Sequence, residues 1–149
     1  MSITIQVQVD SKAIERKVSS VIDDTAMLRI HNAFARYCNP YVPMDEGALS
    51  QTLEITAEGV TYRQPYAHYM YVGMVYGPNI PIFEDGIIVG WFSPPGKEKH
   101  PTGRAIQYSP ERHPLATKEW DIAMMRDRGD AFCDEVRRIL ENRAREIYG

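Results

Sequence analysis

The chain has 149 residues, a length that suits one domain with a sizeable core. Its 17 Lys and Arg against 20 Asp and Glu give a formal charge of −3, which excludes a general attraction for nucleic-acid phosphates and leaves only a local basic patch open. Cys38 and Cys133 are far apart and form no C-x-x-C pair, so neither a zinc knuckle nor a redox motif is expected; both read as buried thiols of a reducing cytoplasm. MSITIQVQVD is no signal peptide, and no apolar run is long enough to predict a membrane span.

Ser2 to Asp10 alternates, with Ile3, Ile5, Val7 and Val9 on one side and Thr4, Gln6 and Gln8 on the other, the period-two pattern of a half-buried strand. Asp10 or Ser11 is placed to cap a helix, Glu15 completes the cap, and the spacing predicts a helix to Tyr37 or Cys38. This helix carries two apolar stripes. Ile14, Val18, Val21, Thr25 and Leu28 form the first, to cover a sheet, and Met27, Ile30, Phe34 and Tyr37 the second, to meet the C-terminal helix or a neighbouring subunit. Pro40 and Pro43 end the helix and push Asn39 and Val42 towards extended backbone. Asp45 is placed to cap a short turn by accepting from the N–H of Gly47 or Ala48. Leu49, Leu53 and Ile55 then start one sheet face, Glu58-Gly59 supplies a reversal with φ > 0, and Val60 to Gln64 returns as a second strand. Pro65 stops it, Tyr66, Tyr69 and Tyr71 follow as an aromatic cluster, and Gly73 suits a helix C-terminus.

Pro43, then Asp45-Glu46-Gly47-Ala48-Leu49, a hairpin, Pro65-Tyr66-Ala67-His68-Tyr69 and Gly73 together resemble the minor capsid and head-to-tail connector (neck) proteins of tailed bacteriophages. The common form in that family is Pro-x-Asp-Thr-Gly-Ala-Leu, a hairpin and Pro-Tyr-Ala-x-Tyr; here Glu46 stands where Thr is usual. The resemblance implies a non-enzymatic virion part, made in the host cytoplasm and located in the neck between portal and tail. It also implies a homo-oligomeric ring, hexameric or dodecameric, touching portal, adaptor or head-closure proteins and tail proteins, with DNA passing through its channel. Tail terminator and head-closure protein are the related alternatives.

Seven of the ten prolines lie between Met74 and Pro114, so no long helix passes through this segment. Ile80, Ile82 and Phe83, then Glu84-Asp85-Gly86, then Ile87, Ile88, Val89, Trp91 and Phe92 read as a hairpin or extended arm whose apolar surface needs covering. It either folds back on its own domain or meets another subunit. The second reading leads, because exposed apolar area marks interfaces, and Tyr71, Tyr76, Ile82, Phe83, Trp91 and Phe92 are the expected contact residues. Lys97, Lys99, His100 and Arg104 make a basic loop that is either solvated or turned to DNA or an acidic partner. Ala105 to Tyr108 reads as a short strand. Leu115 to Met125 reads as a helix with Trp120, Ala123 and Met124 inward, broken or kinked at Gly129. The last helix, Asp130 to Tyr148, aligns Phe132, Val136, Ile139, Leu140 and Ile147 on one face and mixed charges on the other.

Chemistry is sparse. His31 lies beside Ile30 and Phe34 with Ala35 at i+4, so it reads as a structural histidine. Cys38 sits at a helix C-terminus, which disfavours a thiolate, and Cys133 is next to Phe132. Asp23-Asp24 and Asp45-Glu46 point to different sides and form no acid/base pair. Gly77-Pro78 and Pro95-Gly96-Lys97 match no phosphate or dinucleotide loop, and no cofactor is expected. The enzymatic alternative is a small metal-dependent hydrolase or nuclease using His100, Glu111 and His113, with zinc or manganese. The expected architecture is α+β: a small, mostly antiparallel sheet packed by a long N-terminal helix and a C-terminal helix. It forms a single domain over 1–149, with 74–114 as a projecting proline-rich arm.

Overall fold

Three short strands make the sheet that the helices cover. β1 (Ile3–Ile5) and β2 (Leu53–Ile55) both pair antiparallel with β3 (Val60–Tyr62), in the order β1-β3-β2. The computed structural model describes residues 2–9, 20–43, 52–64 and 66–149. Beyond β1 the alternation persists to Val9, with Val7 and Val9 half-buried and Gln6 and Gln8 exposed. The β2–β3 hairpin is where it was expected, but its glycine serves another purpose. Gly59 does not have φ > 0. A Cβ there would come within 2.8 Å of the Ile5 carbonyl oxygen and 3.0 Å of Thr4 Cγ2, so the missing side chain lets β1 lie against the turn.

Helix α1 (Asp24–Cys38) begins where Asp23 caps it, the carboxylate accepting from the Ala26 N–H at 2.9 Å. The single helix expected from residue 11 to 38 is therefore corrected: Ser20 to Asp23 are non-helical, because the Asp23 side chain accepts from a backbone N–H and so sets the start of α1 at Asp24. The expected caps at Asp10 or Ser11, with Glu15, Ile14 and Val18, lie outside the described residues. Ile30, Phe34 and Tyr37 are buried, while Thr25 and Leu28 of the other stripe are exposed. Asn39 is helical (φ −50°, ψ −42°) and not extended. It leads into a 3₁₀ turn over Asn39–Tyr41, whose first turn has no use for the N–H that Pro40 lacks. Val42 is extended as expected.

His31 on α1 is fully buried and joins the two outer strands' ends. Its Nδ1 donates to the Thr56 carbonyl at 2.9 Å, just past β2, and its Nε2 accepts from the Val7 N–H at 3.1 Å, just past β1.

Helix α3 (Trp120–Tyr148) packs along α1. It starts at Trp120 and not at Leu115, and it bends at Arg128 (φ −134°, ψ 15°), immediately before Gly129. Phe132 meets Phe34 and Tyr37 edge-on, each with ring centroids 5.7 Å apart. Trp120 lies between Tyr62 and Tyr71, at 5.1 and 5.0 Å. Cys38 is buried as expected, but Cys133 is exposed: with Phe132 pointing inward, the next side chain is turned about 100° away. Ile147 is exposed as well. The charged face expected to be merely solvated contains a network. Arg143 reaches Asp23 at 2.7 Å and Glu146 at 2.9 Å, and Glu146 also meets Arg29 at 2.7 Å. It ties the cap of α1 to the last turns of α3.

Helix α2 (Ala67–Val72) ends at Gly73 in the left-handed region (φ 76°), whose N–H returns to the Tyr69 carbonyl. The segment that follows divides in two. β4 (Met74–Gly77) pairs antiparallel with β7 (His100–Ala105) as a stem, and β5 (Ile80–Glu84) pairs with β6 (Ile87–Phe92) as a hairpin beyond it. The strand expected at Ala105 to Tyr108 falls earlier, because those residues are tied elsewhere: Ile106 N–H donates to Gly73 O, and Tyr108 O–H to Met70 O. Further bonds from His113 to Val42 O, Thr117 to Tyr41 O and Glu119 to Tyr71 O fasten the return to the body. Of the expected arm, the β5–β6 hairpin is the part left uncovered.

Candidate functional site

The hairpin forms for local reasons. Asp85 (φ 50°) and Gly86 (φ 78°) take the paired positive-φ conformation of a two-residue turn whose twist suits the flanking strands. Glu84 faces Ile87, Ile82 faces Gly90 and Ile80 faces Phe92, with an irregularity between Ile82 and Phe83. In a strand, neighbouring side chains point to opposite faces. Ile87, Ile88 and Val89, then Trp91 and Phe92, therefore put apolar groups on both sides of the ribbon. Such runs belong to strands covered on both faces. Here neither face is covered: Phe83 is 59% exposed, Ile87 68% and Trp91 54%. β5 and β6 make their extensive contacts with each other. A lone two-stranded ribbon is marginal in water, and an apolar patch of this kind is a contact surface.

The six expected contact residues separate into two groups. Ile82, Phe83, Trp91 and Phe92 stand together on the hairpin, all exposed. Tyr71 is instead engaged in its own core: its ring packs on Trp120 and its O–H donates to Asp121 at 2.9 Å. Burial, and then the Asp121 carboxylate, push its phenol pKa up. Tyr76 is half-buried, with its ring 4.6 Å from that of Tyr69. Ile80, Ile87, Ile88 and Val89 are equally exposed and were not singled out, although the unbroken apolar run was the signal for them.

Of the motif residues, Pro43 and Ala67 are buried, Tyr66 is exposed at the start of α2, and Tyr69 and Gly73 shape its end. Asp45, Gly47, Ala48, Leu49 and Pro65 lie outside the described residues.

The hydrolase alternative needs His100, Glu111 and His113 to converge. His100 stands opposite Gly77 in the stem, and His113 donates through Nδ1 to the Val42 carbonyl at 2.7 Å. Among the described residues no group of three or more His, Cys, Asp and Glu side chains could hold a metal ion. The Cys38 thiol pKa is pushed up by burial and by Asp121, which disfavours a thiolate nucleophile.

A family model described as minor capsid protein matches residues 5–132. The chain belongs to the minor capsid protein family. No curated protein and no solved structure matches it. This minor capsid protein is thus a structural component of a phage virion, and the match takes in the stem and the whole β5–β6 hairpin. Among the described residues, no helix of this minor capsid protein is long and apolar enough to cross a membrane.

Proposed function

We propose that this minor capsid protein forms a ring in the head-to-tail connector, between portal and tail, with the hairpin as its principal subunit contact. The observation that carries this reading is the ribbon from Ile80 to Phe92, apolar on both faces and uncovered. Burying a large apolar side chain completely contributes about 1.5–3 kcal/mol, and association costs about 4–15 kcal/mol. Ile82, Phe83, Trp91 and Phe92 are already about half covered in the single chain, so about half of that gain remains to each, and the four offset only the lower end of the cost unless Ile80, Ile87, Ile88 and Val89 join them. A contact between the ribbon of one copy and a different patch of the next closes into a ring under rotation. The motif resemblance adds the place: a hexamer or dodecamer stacked between portal, adaptor or head-closure proteins and tail proteins, with DNA in the channel.

Electron microscopy of the purified chain, alone and mixed with its portal, tests the reading. Closed rings with a central opening wide enough for duplex DNA are expected. Isolated monomers under both conditions, or open filaments, contradict it.

A further inference from the structure

Charge on the arm is segregated. From Ile80 to Phe92 the charged side chains are Glu84 and Asp85 alone, both at the tip. The return from the hairpin, 97–104, has Lys97, Lys99 and Arg104 against Glu98. Lys99 donates to the Pro78 carbonyl at 2.8 Å and to Asn79 Oδ1 at 2.6 Å, which fixes the return to the hairpin's root. Arg104 lines a cleft there with Val75, Asn79 and Trp91, and a neighbouring cleft is walled by Tyr69, Met70, Met74 and Tyr76. Glu84, Asp85, Lys97 and Arg104 make no ion pair among the described residues.

Tip and root of one copy do not serve each other. The five residues of β5 span about 17 Å, well beyond the screening length of about 8 Å at physiological salt. An acidic apolar end and a basic apolar end on one subunit are complementary only between copies. We infer that the tip of one copy, Phe83-Glu84-Asp85, seats at the root of the next, beside Lys97 and Arg104 and over Val75 and Trp91. This rests on the reading in which the arm makes the subunit contact. The apolar side chains supply the affinity, and the charges set direction and register, since tip against tip or root against root brings like charges together. The contact is heterologous, as ring closure requires.

Charge exchange followed by sedimentation tests it. Glu84→Lys/Asp85→Lys in one variant and Lys97→Glu/Arg104→Glu in another each weaken self-association by roughly tenfold or more. The equimolar mixture of the two recovers it, because each tip then meets an opposite root. The chain with all four changes recovers it alone. If both pairs assemble like the native chain, the inference is overturned; the arm reading stands if Phe83→Ser/Trp91→Ser still blocks assembly and falls if it does not. If the pairs disrupt assembly but neither mixture nor fourfold variant recovers it, the root cations face another partner, such as nucleic-acid phosphates, and the inference is overturned. A native chain that never self-associates overturns both.

Discussion

Replacing Phe83 and Trp91 together by Ser is expected to leave a folded monomer that no longer assembles. Both side chains are more than half exposed in the single chain, so their removal takes little from its own core, and exposed positions usually change stability by about 0.5 kcal/mol or less. In a buried contact the same two residues are anchors, each costing about 2 kcal/mol or more on truncation. Losing about 4 kcal/mol per contact weakens it about a thousandfold. Sedimentation of the double variant should give one species of 17.0 kDa with an unchanged thermal melt. A large oligomer indistinguishable from native would remove the hairpin from the contact. A variant that unfolds would show that the ribbon is held by its own domain.

The second large effect is expected at His31. His31→Ala removes the acceptor for the Val7 N–H and the donor for the Thr56 carbonyl, both part-buried hydrogen bonds, and takes a fully buried ring from between α1 and the sheet. Truncating a large buried side chain to alanine costs about 2–5 kcal/mol, and the two part-buried backbone groups add less than the full penalty of a buried orphan, so a loss of about 3 kcal/mol or more is expected in a urea titration. His31→Phe restores volume without the hydrogen bonds and should recover only part. A loss under about 1 kcal/mol for the alanine variant would mean that the ring is not what joins the strand ends.

The same geometry sets a pH dependence. Nε2 accepts a hydrogen bond and has no room for a proton, and burial lowers the His31 pKa, offset only in part by the Thr56 bond. The unfolded chain takes up this proton at about pH 6.5 and the folded chain only at lower pH. The contribution is therefore complete above about pH 6.5 and is lost as pH falls below it, by at most about 1.4 kcal/mol per pH unit. Asp23 acts in a separate window. The Arg143 hydrogen bonds, then the Ala26 N–H, hold its carboxyl low, so its contribution persists until pH drops below about 4. His31→Phe should abolish the upper slope and leave the lower one.

Much of this fold was readable wherever local chemistry and tertiary need agree. Asp85-Gly86 between apolar runs specifies a two-residue hairpin turn, Gly73 a left-handed helix end, and Gly129 marks the bend at Arg128. The errors fall where a distant group decides. The apolar spacing across Val18, Val21 and Leu28 suits one unbroken helix, yet Asp23 caps a helix that begins only at Asp24 and is held by Arg143, 120 positions later. Gly59 looked like a turn residue because its true constraint, the Ile5 carbonyl, belongs to another strand. His31 bonds only to backbone, which leaves no pattern in side-chain spacing. Tyr71 resembled the other exposed aromatics until Trp120 and Asp121 were brought beside it. The hairpin's exposure was readable because an apolar run on both faces of a ribbon holds whatever else the chain does.

The account turns on whether another protein chain covers that ribbon, and hydroxyl-radical footprinting of the virion against the isolated chain addresses this directly. Trp120, with 0% exposure, serves as the unreactive reference in both. The account predicts that Phe83, Trp91 and Phe92 react strongly in the isolated chain and lose most of that reactivity in the particle. Equal reactivity in the two states would contradict it.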